Sequence, residues 1–339
     1  SLERIAQDST NYDKGRDHVR VMESFCTYVR ENAPAKDATA FPLPKWGPLK
    51  DSATEREIGI HLAEQKTRFG HDLGNSNAYQ WAQALPKPRA DIQQALDILG
   101  RRTSEQRFVE ARWGKEAKPN DAWIFEQICP SLPQKSEGSS LNLETLTAFR
   151  TALDLWKERI GSYSGYQLDL RRSNLQGADL SKAVLSGAQL NCSRLEGALM
   201  FMARLEGANL SNGRLERAYL LRAKLQGANL GGASLEGAFL GEAYLQKAHL
   251  AGAQLGSAVL VAARLEGANL ANAHLEGGYI SWAHLEDAIL HGVNLDQTTA
   301  VNGASLNGSF LKNINYATIE RLKPFLDEMF GDGSIHLPE

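Results

Sequence analysis

From Leu170 to Leu295 an apolar residue returns at every fifth position, 26 times in succession. It is Leu each time except at Met200 and Ile280. Two residues before each of these centres stands Ala, in 20 of the 26 cases; the exceptions are Leu168, Ser173, Ser193, Gly213, Gly278 and Val293. A period of five fits neither a helix, which repeats every 3.6 residues, nor a strand, which repeats every 2. Gly177, Gly187, Gly197 and Gly207 weaken a helical reading further. The pattern predicts a solenoid in which each pentapeptide forms one short side and a turn. Leu points to the axis, and Ala fits where space is limited.

A longer period lies inside the first. One residue before the centres, Leu199, Tyr219, Phe239, Val259 and Tyr279 stand 20 apart, and Gln189, Asn209, Asn229, His249 and Asn269 interleave with them. One set is apolar or aromatic and the other polar. Four pentapeptides per coil therefore predict four sides. Twenty-six pentapeptides make 6.5 coils, a rod of roughly 30 Å at the spacing of paired strands. The register breaks after Leu295, where the next centres, Leu306 and Leu311, come one residue late.

The first half has no repeat. Val19, Met22, Cys26 and Val29 predict a buried helix that stops near Asn32, before Pro34. Val21, Phe25 and Tyr28 make its other side apolar as well. Pro34, Pro42, Pro44 and Pro48 predict an extended loop, followed by a weaker helix over Ala53 to Phe69. Ile92, Ala95, Leu96 and Leu99 share the face of another helix, with Gly100 as its stop. Thr103 and Gln106 read as a capping box. Ser136 to Ser140 reads as a linker. A last helix from about Asn142 to Ile160 carries Leu146, Phe149, Leu153, Trp156 and Ile160 on one face, and it is expected to cap the start of the rod. Ala317 to Phe330 is expected to form a helical cap at the other end, kinked by Pro324. The predicted organisation is α+β: a helical, loop-rich unit over 1–140, a capping helix and linker over 141–165, the solenoid over 166–315 and a C-terminal helical cap over 316–339.

Composition narrows the function. The 339 residues carry a net charge of −3, which argues against a nucleic-acid coat. Cys26, Cys129 and Cys192 are the only cysteines, too few and too scattered for a disulfide framework or a thiolate zinc site, and in keeping with a reducing compartment. No apolar run reaches a membrane span. The start at Ser1 suggests a processed or trimmed product. The histidines form no metal-binding cluster, and no phosphate loop, nucleophile elbow or dinucleotide fingerprint occurs. We therefore expect no enzyme activity, no metal and no cofactor. Residues 166–318 hold 12 basic and 12 acidic side chains. Arg194 and Arg214 share one side, Arg204, Lys224 and Arg264 the opposite one. Glu196, Glu206, Glu216 and Glu266 follow four of these bases by two residues. The expectation is a solvated surface of mixed charge.

Ala178-Asp179-Leu180, Ala208-Asn209-Leu210, Ala228-Asn229-Leu230 and Ala268-Asn269-Leu270 resemble the A(D/N)Lxx unit of the pentapeptide-repeat family. The resemblance covers about 40% of the chain and implies a right-handed quadrilateral β-helix. The chain departs from that unit before the centre, where Asp or Asn occupies only seven of the 26 positions. Leu2 to Ser9, Asp17 to Glu23 and Arg89 to Gln93 resemble a set of bacterial pentapeptide-repeat proteins in which membrane-spanning segments precede the equivalent of Leu2. That likeness implies a cytoplasmic location, tethered to the inner membrane by a segment ahead of this chain.

The strongest functional candidate is the apolar side: Leu199, Tyr219, Phe239, Val259 and Tyr279, joined after each centre by Phe201, Met202, Leu221, Val261 and Trp282. Apolar patches of this size usually mark a contact. The N-terminal half could fold over it, or a protein partner or a second copy could use it. The reading is a non-enzymatic interaction scaffold, with no nucleic acid and no direct membrane contact. The alternative, drawn from the family, is a DNA mimic that binds type II topoisomerases, for which a neutral repeat region is poor material.

Overall fold

The leucine period becomes four ladders of single parallel bridges. In this computed structural model, which describes residues 2–9, 16–39, 49–50, 52–69, 85–114, 116–132, 143–310 and 322–325, the residue before each centre pairs with the one 20 further on. Arg194 pairs with Arg214 on a first side, Tyr219 with Phe239 on a second, Arg204 with Lys224 on a third and Asn209 with Asn229 on a fourth. Every centre from Leu170 to Leu295 is at most 3% exposed. Burying each such Leu is worth about 1.5–3 kcal/mol. The turn residue two places after each centre from Leu170 to Leu290 takes a positive φ, near +60° at Lys182 and Trp282.

The late register after Leu295 is an extra residue in one corner. Here the ladder steps by 21, from Tyr279 to Ala300 and from His284 to Ser305. Asp296 secures the enlarged turn: its Oδ1 accepts from the Gly277 and Thr298 amides, both at 2.9 Å, and from Thr298 Oγ1 at 2.7 Å. Val301 and Leu306 then re-enter the shaft.

Among the described residues the first half forms six α-helices: α1 Leu2–Asp8, α2 Arg16–Asn32, α3 Glu55–Phe69, α4 Ala90–Gly100, α5 Ser104–Ala111 and α6 Leu143–Gly161. Helix α2 buries Val19, Met22, Cys26 and Val29, and α4 buries Ile92, Ala95, Leu96 and Leu99. Thr103 and Gln106 form the reciprocal capping box of α5.

The cap at the start of the rod differs from the expected one. A first coil leaves a row of unpaired amides, which is a template for unwanted pairing. The Asn174 amide donates to the Ala33 carbonyl at 2.6 Å and the Val184 amide to the Gly100 carbonyl at 2.8 Å. The Asp179 amide donates to Gln93 Oε1 at 3.0 Å. The end of α2, the face of α4 and its C-terminus thus cap the rod, and Met22, Leu96 and Leu99 share one continuous core with Leu170 and Leu175. Helix α6, expected in that role, instead runs along the rod. Ile160 packs on Gly207 and Trp156 on Gly227, Asp154 pairs with Lys247, Arg150 pairs with Asp287, and Leu146 reaches Gly308. These contacts all lie on the corner between the third and fourth sides. Helix α3 takes the diagonally opposite corner, with Phe69 on Gly237 and Gln65 Nε2 donating to Ser257 Oγ at 3.0 Å and to the Gly277 carbonyl at 2.6 Å.

At the far end Leu322 is buried in the rod's core and Lys323–Phe325 form a single tight turn. The rest of the expected C-terminal helix, the prolines at 42, 44 and 48, and the 136–140 linker lie outside the described residues. Among the described residues no helix is long and apolar enough to cross a membrane.

Candidate interaction surface

The second side collects the predicted apolar residues. Leu199, Tyr219, Phe239, Val259 and Tyr279 follow one another on a single ladder. Tyr219 and Phe239 stack with centroids 5.4 Å apart and planes 12° apart. Phe201, Met202, Leu221, Val261 and Trp282 occupy the adjoining corner, after their centres. The wall is not uniformly open. Val259 is only 4% exposed, whereas Met202 is 44% and Trp282 65% exposed, and the others are half-buried. Trp282 lies over Gly303. Burial pushes the Tyr279 phenol above its ordinary value.

The charged residues are arranged otherwise than expected. Glu196, Glu206, Glu216, Glu236, Glu266, Glu276, Glu286, Asp287 and Asp296 are all buried. Only Asp169, Asp179 and Glu242 of the rod's acids are not. The buried glutamates sit just after the centre on the two corners that α3 and α6 follow. All but Glu236, which follows Ser234, pair with the ladder base two residues before: Glu196 with Arg194 at 2.6 Å, Glu206 with Arg204 at 3.2 Å, Glu216 with Arg214 at 2.7 Å, Glu266 with Arg264 at 2.8 Å. His274 and His284 repeat the arrangement with Glu276 and Glu286. Burial first, and the Glu216 carboxylate second, raise the Glu196 carboxyl above its ordinary value, and burial does the same to Glu266. The hydrogen bond to Glu286 raises His284. The solvated mixed-charge surface is therefore corrected to two rows of buried carboxylates, most of them bonded to a partly exposed Arg or His. A signal existed in the sequence: Glu or Gln follows the centre at 176, 196, 206, 216, 226, 236, 246, 266, 276 and 286, all on the ten-residue grid of the covered corners.

One further constellation escaped sequence reading. Ser9, His18 and Glu110 are buried together, with His18 Nδ1 3.2 Å from Ser9 Oγ and His18 Nε2 3.0 Å from Glu110 Oε1. It resembles a nucleophilic triad in composition only. The Ser9 hydroxyl donates its proton to the Ala6 carbonyl at 2.7 Å, so the imidazole meets an acceptor oxygen rather than a proton to remove. Arg102 Nε also bonds the Glu110 carboxylate, at 2.9 Å. The cluster ties α1 to α2 and α5. Among the described residues no group of His, Cys, Asp and Glu is arranged to hold a metal ion.

Comparison with known proteins fits the four ladders. A family model for pentapeptide repeats matches residues 167–200, 203–241, 238–277 and 263–299, in eight copies. The rod is built of pentapeptide repeats. Among solved structures, HetL, a pentapeptide-repeat protein involved in heterocyst differentiation regulation in the cyanobacterium Nostoc sp. strain PCC 7120, is 29% identical over 43% of this chain and 82% of its own, with a TM-score of 0.24. Rfr23 from the cyanobacterium Cyanothece 51142 is 37% identical over 29% of this chain and 64% of its own, with a TM-score of 0.20. QnrB1, a plasmid-mediated fluoroquinolone resistance protein, is 21% identical over 43% of this chain and 84% of its own, with a TM-score of 0.18. No curated protein matches the chain. In this chain the two corners bearing Glu or Gln hold helices of the first half, and the apolar wall lies between those corners.

Proposed function

We propose that this chain is a non-enzymatic scaffold whose apolar wall receives a protein, either a partner or a second copy. Its rod is read as a right-handed quadrilateral β-helix. The chain divides into a helical unit over 1–140, a helix and linker over 141–165, the solenoid over 166–315 and a C-terminal segment over 316–339. The observation that carries the proposal is the unbroken ladder of Leu199, Tyr219, Phe239, Val259 and Tyr279, bordered by the exposed Met202 and Trp282. Side chains of this kind provide contact area at low entropic cost and anchor interfaces.

DNA mimicry loses support from the same geometry. It needs carboxylates spaced over an open surface, and nine of the rod's acids are buried. The double variant Tyr219→Ser, Phe239→Ser tests the scaffold reading. Neither side chain fills the shaft, so thermal melting of the variant should stay close to the parent's. Sedimentation velocity should show self-association weakened, or a photo-crosslinker at position 282 should no longer capture the partner. A variant with unchanged association and unchanged crosslinks would show that the wall is inert.

A further inference from the structure

The third side carries a pocket that the apolar wall does not explain. Residues from Phe125 to Ser131, with Trp156, enclose a cleft of about 300 Å³ with Lys224, Tyr244, Gln226 and Gln246 of the rod, which the ion-paired Arg204, Glu206 and Arg264 also line. Arg204 holds this segment, donating to the Phe125 carbonyl at 2.8 Å. The volume is at the small end of the range for ligand pockets.

The charge pattern breaks at this place. Elsewhere along the covered corners a ladder cation is followed two residues later by a buried glutamate: Arg194, Arg204, Arg214, Arg264, His274 and His284 all obey the rule. Lys224 is followed by Gln226. The cation is kept and its neutralising carboxylate is replaced by an amide of nearly the same shape. Among the described residues the Lys224 side chain is exposed and has no ion-pair partner. A charge of that kind on a cleft wall attracts an anion.

The buried atoms around it ask for a second kind of group. Gln226 Oε1 and Gln246 Oε1, on two residues that line the cleft, are buried acceptors without a hydrogen-bond partner among the described residues. Gln246 is 2% exposed and Gln226 8%. Buried polar atoms left unpaired are costly, so their clustering in a cleft points to an occupant that pairs them. A bare anion brings no proton to these oxygens, while a cation has no use for Lys224.

We propose that this cleft binds an α-carboxylate together with its adjacent N–H, as found at the C-terminus of a peptide or in a free amino acid. The carboxylate pairs with Lys224, and the N–H groups donate to Gln226 Oε1 and Gln246 Oε1. The site lies on a different side from the apolar wall and stands or falls separately from the scaffold reading.

Isothermal titration of the whole chain tests it with four probes: an acetylated tripeptide with a free C-terminus, the same peptide as its C-terminal amide, free alanine, and acetate. The free-ended tripeptide or alanine should bind at millimolar concentration or better, and the tighter of the two identifies the source. The amide and acetate should each bind at least about tenfold more weakly, a difference of about 1.4 kcal/mol. Gln226→Glu restores the rule seen at Glu206 and Glu216, so the rod should fold, but it neutralises Lys224 and should cost at least about tenfold in affinity. Lys224→Gln should do the same, with unchanged melting. Equal binding of acetate, equal binding of the amide, undiminished binding by folded Gln226→Glu, or no binding of any probe would each overturn the proposal.

Discussion

A glycine at a corner of this rod has two separable duties. Every turn from Leu170 to Gly292 places its last residue at positive φ, and the chain tolerates Lys182, Met202 and Trp282 there. Positive φ alone therefore does not demand Gly. At Gly237, with φ +65°, a β-carbon would come within 2.4 Å of Phe69 Cδ1, while at Gly252, with φ +67°, it would meet nothing within 4 Å. Gly252→Ala should cost about 1 kcal/mol, the strain of the left-handed backbone. Gly237→Ala should cost about 1–3 kcal/mol more, because it also drives α3 off its corner. Urea unfolding of the two variants reads the difference; equal losses would show that α3 does not press on Gly237. The buried glutamates give a second residue-scale test. A carboxyl that holds its proton more tightly folded than unfolded stabilises the fold in acid and loses that contribution as pH rises through its folded-state value. Glu196 is such a group, raised above 4.5. Glu196→Gln mimics its neutral form, as Gln226 does on the other covered corner. The variant should be at least as stable as the parent at neutral pH, and the advantage should fade as pH falls through the raised folded-state value toward 4.5. Melting curves at several pH values check this; an advantage that grows in acid would reverse the sign.

Helix α6 shows why one element was legible in sequence and its position was not. Its range, Leu143–Gly161, and its apolar face follow from the spacing of Leu146, Phe149, Leu153, Trp156 and Ile160. A helical turn rises 5.4 Å and paired strands lie about 4.8 Å apart. One turn of α6 therefore advances slightly more than one coil, and along the corner Trp156 meets Gly227, Asp154 meets Lys247 and Leu146 meets Gly308. The helix fits lengthwise along a corner. Nothing within residues 142–160 says so. The clue lay in the partner surface, where Gly or a small or paired residue follows Glu or Gln every ten residues. The leucine shaft and the apolar wall were legible because each repeats along one residue position. The end cap was not, because Ala33, Gln93 and Gly100 act through a backbone carbonyl, an amide side chain and a second carbonyl that no periodicity marks. The coil-to-turn match predicts that one Ala inserted between Ala152 and Leu153 rotates the N-terminal part of α6 by about 100°. Phe149 and Leu146 should then leave the corner. Hydrogen exchange should quicken in the coils from Lys247 to Gly308 and stay unchanged near Gly207. Uniform exchange along the rod would mean that α6 is not docked in this register.

At the scale of the whole molecule the first half does two jobs at once: it seals one end of the rod and braces two diagonal corners. The sealing matters because each coil contacts only its neighbours, and an unsealed coil presents open amides and carbonyls to any other open end. Three of those amides, on Asn174, Asp179 and Val184, are bound by Ala33, Gln93 and Gly100. The bracing by α6 runs from Gly207 to Gly308, so it does not depend on the seal. A chain shortened to begin at Leu143 separates the two. Its shaft keeps the leucines from Leu175 to Leu295, and α6 can still lie on its corner, so far-ultraviolet circular dichroism should report a folded rod. The first coil, however, is left bare. Such chains should stack end to end, and sedimentation velocity should show a concentration-dependent series of oligomers extending beyond any species the full chain forms. Masking the open edge without restoring the cap, by Asp179→Pro, removes one donor at the end of the ladder and should shorten the series. A shortened chain that stays monomeric at all concentrations would mean that the first coil does not need its seal, and the first half would then act on this rod only as a brace.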